Sequence, residues 1–329
     1  MDRQDYIYAS ARIRVFEKNL LKKEQLHRLA QAGEEETFLH YLQETDYGKY
    51  LQNIKEPEAF HKAMDENWQY NLSEVLEMSK DPEVIEILSA KYVYHNYKVL
   101  VKEKILGQDL SPLYILVPGM DVEGIRNSLA REEETELANF IYQALEDYEE
   151  NKDAQRIDLI LDKAYYEDIL AKAIKLGDPL FIDFVQYSLD FSNAKALVRL
   201  KAQGLEYEAL EGVFLPGGHI DSESFKRLYK EEPGVILEGL GKLDPSSTLK
   251  KAKLVYEDTG SLASVERLME DAIMNLVRDG RRITYGPEVL FGYLLAKEKE
   301  IMNLRMIFTS LVAGIAPERI EERLRDSYV

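Results

Sequence analysis

Apolar residues recur at helical spacing through most of the chain. One run contains Ile157, Ile160, Leu161 and Ala164, and a second extends from 254 to 276. Residues three and four apart lie on one face of an α-helix, whereas a half-buried strand needs strict alternation, and no alternating β-branched run of strand length occurs. The pattern therefore predicts an all-α fold.

Proline and glycine mark the predicted helix ends. Proline at the first helical position loses no hydrogen bond, and an adjacent aspartate can cap the N–H groups of the first turn. Helices are therefore expected to begin at Asp81-Pro82, Asp178-Pro179, Asp244-Pro245 and Gly286-Pro287. Left-handed backbone geometry costs glycine little, so helices are expected to end at Gly48, Gly107, Gly177, Gly204 and Gly280.

An Asn-x-Lys/Arg element recurs three times, at 96–98, 193–195 and 303–305. A helix-starting proline stands 14 or 16 residues before each asparagine, and a turn rich in proline and glycine closes each copy. Ser10-x-Arg12, followed by Ala32-Gly33, forms a partial fourth copy. The asparagines are 97 and 110 residues apart, which exceeds the solenoid periods of about 20 to 50 residues. This spacing predicts a compact cluster of duplicated helical domains.

The predicted division of the chain follows these copies. Residues 1–59 form an N-terminal half-unit that packs with the repeats, and residues 60–153, 154–260 and 261–329 form helical repeats 1, 2 and 3. Three equivalent blocks favour a symmetric holder over an enzyme with one active site.

The bases of the repeated element are the first candidates for partner binding. Arg12, Lys98, Lys195 and Arg305 stand mid-helix among apolar neighbours, where an unpaired buried polar group costs about 1–3 kcal/mol. Two interpretations are open. Each base pairs with an acid of its own block and fixes helix register, or the bases line a central recess and bind a partner.

The charge of the chain restricts its partners. Sixty acids against 42 bases give a net charge of −18, which disfavours nucleic acid and anionic lipid and favours a basic partner. The acids cluster, for example at Glu132, Glu133 and Glu134 and at Glu321 and Glu322. Such runs are typical of solvated helix faces, and alternatively they mark one rim of the assembled protein that contacts a partner.

Composition also bears on compartment. Cysteine is absent, which excludes disulfides and cysteine nucleophiles and fits a reducing compartment. No stretch approaches 18 uncharged apolar residues, and the charged first residues lead into no signal core. We expect a soluble intracellular protein without direct membrane insertion.

Catalytic signatures are missing from the sequence. The stretch from Gly234 to Lys242 resembles a phosphate-binding loop, but its lysine has the wrong spacing and no hydroxyl residue follows it. Glu24 and His27, with Glu58 and His61, form two Glu-x-x-His pairs of the kind that di-iron bundles use. Only 34 residues separate the pairs, which leaves no room for the intervening long helix. No catalytic residue, cofactor or metal site is therefore predicted.

Several segments resemble the C subunit of V/A-type rotary ATPases, a relative of the eukaryotic V-ATPase d subunit. They are 6–14 with Glu17, then Leu42 with 44–48, and 161–166. The resemblance covers the whole chain and implies three similar domains arranged as a pseudo-threefold funnel. It implies a non-catalytic rotor subunit that couples the central shaft, made of coiled-coil D- and F-type subunits, to the membrane proteolipid ring. Its expected location is peripheral, on the cytoplasmic face of the membrane.

Alternatives remain open at this point. An all-helical scaffold that binds unrelated proteins would share the repeats, and the di-iron enzyme is a further, weaker alternative. The sequence leaves open whether the transported ion is H⁺ or Na⁺ and whether the machine makes or consumes ATP.

Overall fold

The computed structural model describes residues 2–328 except 53, 55–56, 132–138 and 207–211. The described residues form helices joined by turns and short 3-10 segments, with no strand among them, and this confirms the all-α prediction. The α-helices are, in chain order, α1 (Ile7–Phe16), α2 (Lys23–Ala30), α3 (Glu35–Gln43), α4 (Pro57–Met78), α5 (Glu83–Leu106), α6 (Val122–Ala130), α7 (Asn139–Asn151), α8 (Ala154–Leu176), α9 (Pro179–Ala202), α10 (Ser222–Leu228), α11 (Pro233–Gly241), α12 (Thr248–Thr259), α13 (Leu262–Arg278), α14 (Pro287–Val312) and α15 (Pro317–Glu321).

The predicted capping chemistry is present at several helix ends. The Asp178 side chain accepts a hydrogen bond from the Leu180 backbone N–H, and Pro179 is the first residue of α9. Gly177 ends α8 in the left-handed conformation with φ of 69°. Pro287 likewise opens α14. These caps satisfy backbone groups that a helix end leaves without an intrahelical partner.

Three predicted boundaries were wrong. Gly280 does not end a helix in the left-handed conformation but lies inside the 3-10 segment Asp279–Arg282. Asp244 does not begin a helix, because its carboxylate accepts hydrogen bonds from Ser246 and Leu249 and shapes a turn that delays α12 to Thr248. Gly48 does not end a helix but lies inside the short 3-10 segment Asp46–Tyr50. A side chain at Gly48 would meet the Gln43 carbonyl oxygen at 2.4 Å, so close backbone approach explains this glycine.

The chain divides into two compact units. Unit 1 contains Met1–Leu88 and Met274–Val329, and unit 2 contains Ser89–Ile273. The four-segment division and the funnel expected from the sequence stay predictions.

Helix α14 is the centre of unit 1. Twenty of its 26 residues are buried, and helices α1, α2, α3, α4 and α15 pack against it. A helix that is buried on all sides needs such a complete cover. The N-terminal segment 2–51 therefore belongs to the same core as α14.

Unit 2 is built on a helical hairpin. Helices α8 and α9 pack side by side, α7 packs on α8, and α11 packs on both α9 and α12. One face of α9 contributes Phe191, Ala194, Leu197 and Val198 to a core that helices α10 to α13 complete. Among the described helices, none combines the length and the hydropathy that a membrane span requires.

Candidate partner-binding site

The three repeated asparagines make the same contact. Each carboxamide is buried, donates to the backbone carbonyl of one residue in the segment after its helix, and accepts from the N–H of that same residue. The pairs, with donated and accepted distances, are Asn96 with Ile115 (2.7 and 2.9 Å), Asn193 with Leu215 (2.7 and 2.9 Å) and Asn303 with Arg325 (3.1 and 3.1 Å). We call this two-bond contact the asparagine clamp.

The asparagine clamp explains a polar residue in the middle of an apolar helix face. A segment outside helices and sheets has no regular backbone partner for its N–H and C=O, and burying them unpaired costs about 1–3 kcal/mol each. One carboxamide supplies both a donor and an acceptor, as a strand would. The repeat spacing indicated these asparagines, but it contained no information on which backbone group each would bind.

The fourth copy differs from the other three. Ser10 is buried, donates to the Gly286 carbonyl at 3.5 Å and accepts from the Gly286 N–H at 3.1 Å. Its partner therefore lies at the start of α14, whereas each asparagine binds a segment that follows its own helix. The N-terminal segment is thus fixed to the start of α14.

Three of the four repeated bases pair with carboxylates. Lys98 Nζ lies 2.8 Å from Asp162, Arg305 binds Asp65 at 2.6 Å, and Arg12 binds Glu74. None of these acids belongs to the predicted segment of its base, so the expectation of pairing within one block was wrong. The Lys98 pair instead joins predicted segments 60–153 and 154–260. The Arg305 pair joins segments 261–329 and 60–153, and the Arg12 pair joins segments 1–59 and 60–153. Each is partly exposed and contributes about 0–1 kcal/mol.

Lys195 is the exception among the repeated bases. It is half-buried, and no carboxylate pairs with it among the described residues. One turn further along α9, Arg199 pairs with Glu266 of α13, so the cross-helix pair of this copy uses a different base. An ammonium group without a counter-charge is available for an acid from outside the chain.

The predicted acidic clusters have different environments. The Glu321 carboxylate accepts from Gln31 at 2.9 Å and lies 3.1 Å from His27 Nδ1, so it joins α15 to α2 within unit 1. Glu322 is exposed. Glu132, Glu133 and Glu134 lie outside the described residues.

The two Glu-x-x-His pairs do not come together as a metal site. His27 faces Glu321, whereas the His61 ring packs against Phe60 and Phe308 at centroid distances of 5.7 and 6.2 Å. Burial, and then the positive charge of Arg305, lower the pKa of His61. Among the described residues there is no group of three or more His, Asp or Glu side chains that could hold a metal ion.

A buried charged cluster in α14 is absent from the sequence predictions. Lys297, only 2% exposed, donates to Glu300 at 2.9 Å, and the Tyr47 hydroxyl donates to the same carboxylate at 2.6 Å. The Leu21 N–H also donates to Glu300. Burial, and then the Glu300 charge, raise the pKa of Tyr47 well above its ordinary value. A run of four charged residues, 297–300, between two apolar stretches of one helix was the available signal.

A second buried carboxylate holds the segment after α9. Asp190 is fully buried and accepts from the backbone N–H groups of His219 at 3.0 Å and Ile220 at 3.1 Å, and His219 Nδ1 lies 3.0 Å away. Burial raises the pKa of Asp190 even though these hydrogen bonds oppose the shift. Asn193 and Asp190, one turn apart, therefore fix the same segment at two points.

The chain is similar to known proteins over nearly its whole length. Residues 9–323 match the protein family described as ATP synthase (C/AC39) subunit. The C subunit of the A-type ATP synthase of Methanothermobacter thermautotrophicus is 28% identical, with 94% of this chain and 85% of that protein covered. The protein of the same name from Methanocaldococcus jannaschii is 26% identical, covering 98% and 87%. The C subunit of the V-type sodium ATPase of Enterococcus hirae is 25% identical, covering 96% and 97%.

Proposed function

The chain belongs to the ATP synthase (C/AC39) subunit family, and from this premise we propose that it is the rotor piece that couples shaft to ring in its complex. Family membership makes it a structural subunit, not a catalytic one, of a membrane-associated V/A-type rotary ATPase. In the proposal it receives the coiled-coil central shaft of D- and F-type subunits. It sits peripherally on the membrane proteolipid ring, at the cytoplasmic face, and transmits torque for ATP-linked H⁺ or Na⁺ transport.

The observation that supports this role best is the threefold asparagine clamp. A coupling piece needs no nucleophile, but it must transmit torque without deforming, and fixing the segments that follow long helices resists such deformation. The clamps of Asn96, Asn193 and Asn303 do this with the same two hydrogen bonds. The ion pairs of Lys98 and Arg305 join one predicted segment to another, which adds resistance to shear.

Within this role Lys195 is the proposed shaft contact among the repeated bases. Arg12, Lys98 and Arg305 have carboxylate partners in the chain, and Lys195 has none among the described residues. An acidic side chain of the shaft would supply the missing counter-charge.

The acidic clusters 132–134 and 321–322 are proposed to meet the ring. Cytoplasmic loops of membrane proteins are rich in Lys and Arg, and the chain carries a net charge of −18. Attraction between such surfaces is screened by salt, so ring attachment should weaken as ionic strength rises.

Binding to the purified shaft subunits of the same organism tests the role. The full chain is expected to form a 1:1 complex with the D- and F-type pair. Lys195→Glu should weaken that complex about tenfold or more, which corresponds to ~1.4 kcal/mol for placing like charges together. The matched control is Lys251→Glu, the same charge change at an exposed lysine of α12 that has no ion-pair partner in the described part of the chain.

Two results would count against the proposal in different ways. If the chain bound no shaft protein at all, the coupling role would fail. If Lys195→Glu and Lys251→Glu weakened binding equally, the role would stand, but Lys195 would lose its assignment as the contact.

A further inference from the structure

Helix α1 presents an apolar stripe to solvent. Tyr8 is 73% exposed and Val15 57% exposed, and Ala11 between them is exposed as well. These residues stand at i, i+3 and i+7, which places them on one side of the helix. Arg12 lies beside them and is held by Glu74. We call Tyr8, Ala11 and Val15 the α1 stripe.

The internal repeat shows how unusual this exposure is. With Ser10 matched to the three clamp asparagines, the α1 stripe corresponds to the positions two before, one after and five after each asparagine. Those nine positions are all at most 5% exposed: Tyr94, Tyr97 and Val101 in α5, Phe191, Ala194 and Val198 in α9, and Ile301, Leu304 and Phe308 in α14. Only the copy in α1 faces solvent.

Helices cover the stripe position in each of the other copies. The Tyr94 ring packs against Tyr165 of α8 at a centroid distance of 5.8 Å. Phe308 stacks on Phe60 of α4 at 4.1 Å. Phe191 lies in the core that helices α10 to α13 complete. The surface that this repeated helix presents is therefore one that α-helices cover.

Helices α2 and α3, which follow α1 in the chain, do not cover the α1 stripe. They pack against α14 and against each other. In unit 2, by contrast, the helices that follow an asparagine helix pack back against it, as α10 to α13 pack against α9. The N-terminal copy thus lacks a covering helix, because α2 and α3 pack against α14 instead.

We propose that the α1 stripe binds an amphipathic α-helix of another subunit of the same ATPase. The inference rests on the proposed function only for the identity of the complex. Anchors at i, i+3 and i+7 are the spacing by which one helix packs along another. Tyr8 supplies a large apolar surface with a polar tip, which is typical of interface anchors.

Local charge indicates the nature of the partner helix. Residues 1–30 hold seven Lys or Arg and four Asp or Glu, but Arg3, Arg12 and Arg28 pair with carboxylates outside this range, so the unpaired positive charge is that of the lysines. Lys18, Lys22 and Lys23, just beyond the end of α1, are exposed and have no carboxylate partner among the described residues. Complementary charge fixes register and excludes wrong partners, so the bound helix should carry acidic residues at the end nearest these lysines.

Photo-crosslinking in the assembled ATPase tests the assignment. The full chain is expressed in its source cell with p-benzoylphenylalanine at position 8 or at position 15, and crosslinked peptides are identified by mass spectrometry. Both positions should crosslink to one helical, acid-containing segment of a single other subunit. Leu254, 64% exposed on α12, is the matched control and should not crosslink to that segment.

A second measurement separates binding from folding. The double variant Tyr8→Ser with Val15→Ser should lower retention of the chain in the purified complex about tenfold or more, while its thermal unfolding midpoint stays at that of the unmodified chain. Lys18→Glu with Lys22→Glu should lower retention as well. Leu254→Ser should change neither quantity.

The outcomes distinguish this inference from the function on which it rests. Crosslinks to lipid, to a second copy of this chain or to nothing, in a chain that still purifies with shaft and ring, would overturn the α1 assignment alone. Unchanged retention of the serine variant would do the same. A chain that purifies with neither shaft nor ring would contradict the proposed function instead.

Discussion

Replacement of Asn193 by alanine tests the asparagine clamp directly. The substitution deletes the donor to the Leu215 carbonyl and the acceptor for the Leu215 N–H, at 2.7 and 2.9 Å. Both partners are buried, since Asn193 is 1% and Leu215 9% exposed. The backbone groups of Leu215 would then lie in the core without partners.

The expected loss follows from these two orphaned groups. Each unpaired buried backbone group costs about 1–3 kcal/mol. The higher helix propensity of alanine offsets about 0.5 kcal/mol of this loss. A water molecule that entered the vacated space would recover part of the cost. Asn193→Ala should therefore lower the free energy of unfolding by about 2–4 kcal/mol. Asn303→Ala should cost less, because its bonds are 3.1 Å long and Arg325 is only half-buried.

Two measurements check this expectation. Urea unfolding gives the free energy difference, and hydrogen exchange of the Leu215 amide reports the clamp locally. Asn127→Ala is the matched control, because Asn127 is an exposed asparagine of α6 in the same unit, and its change should stay within about 0.5 kcal/mol. If Asn193→Ala cost no more than Asn127→Ala, or left exchange at Leu215 unchanged, the clamp would not be a stabilising element.

Two further predictions concern the buried carboxylates. Glu300→Gln removes the counter-charge of buried Lys297 and should cost about 3–5 kcal/mol in urea unfolding. Lys297→Met combined with Glu300→Gln should restore much of the loss, because no buried charge remains and the glutamine oxygen still accepts from Tyr47 and Leu21. Equal costs for the two variants would contradict the ion-pair argument. Burial raises the pKa of Asp190, so the folded chain holds this proton more tightly than the unfolded chain and its stability should fall as pH rises above the ordinary aspartate range. Asp190→Asn should lack this contribution. The free energy of unfolding of both proteins is measured between pH 4 and 7, an interval set from about the ordinary aspartate pKa. The same pH dependence in both proteins would contradict the argument.

Much of the fold could be predicted from local sequence. Helical periodicity gave the all-α class, and the Asp-Pro and Gly-Pro dipeptides gave the starts of α9 and α14, because capping depends on neighbouring residues only. Asp244 was misplaced since its carboxylate can cap a turn or a helix equally well, and only the hydrogen bond to Leu249 decides between them. Local rules therefore predicted helix ends correctly where neighbouring residues alone determine the cap.

The candidate partner-binding site was predictable only in part. The repeat identified Asn96, Asn193 and Asn303, yet their bonds run to residues 19 or 22 positions away, and the Lys98 pair spans 64. Such partners are chosen by how helices pack, which no local pattern encodes. For the same reason the sequence could not foresee the uncovered α1 stripe, or that Lys195 lacks a carboxylate partner among the described residues.

Rotation of this chain within the working ATPase is the most direct test of the coupling role. The whole complex is immobilised through its ATP-hydrolysing head, a bead is attached to this chain, and its position is followed as ATP is added. A rotor piece between shaft and ring should turn continuously in one direction, and should stop when ATP is removed. A bead that stays fixed, while a bead on the shaft of the same preparation turns, would place the chain in the stator and contradict the proposed function.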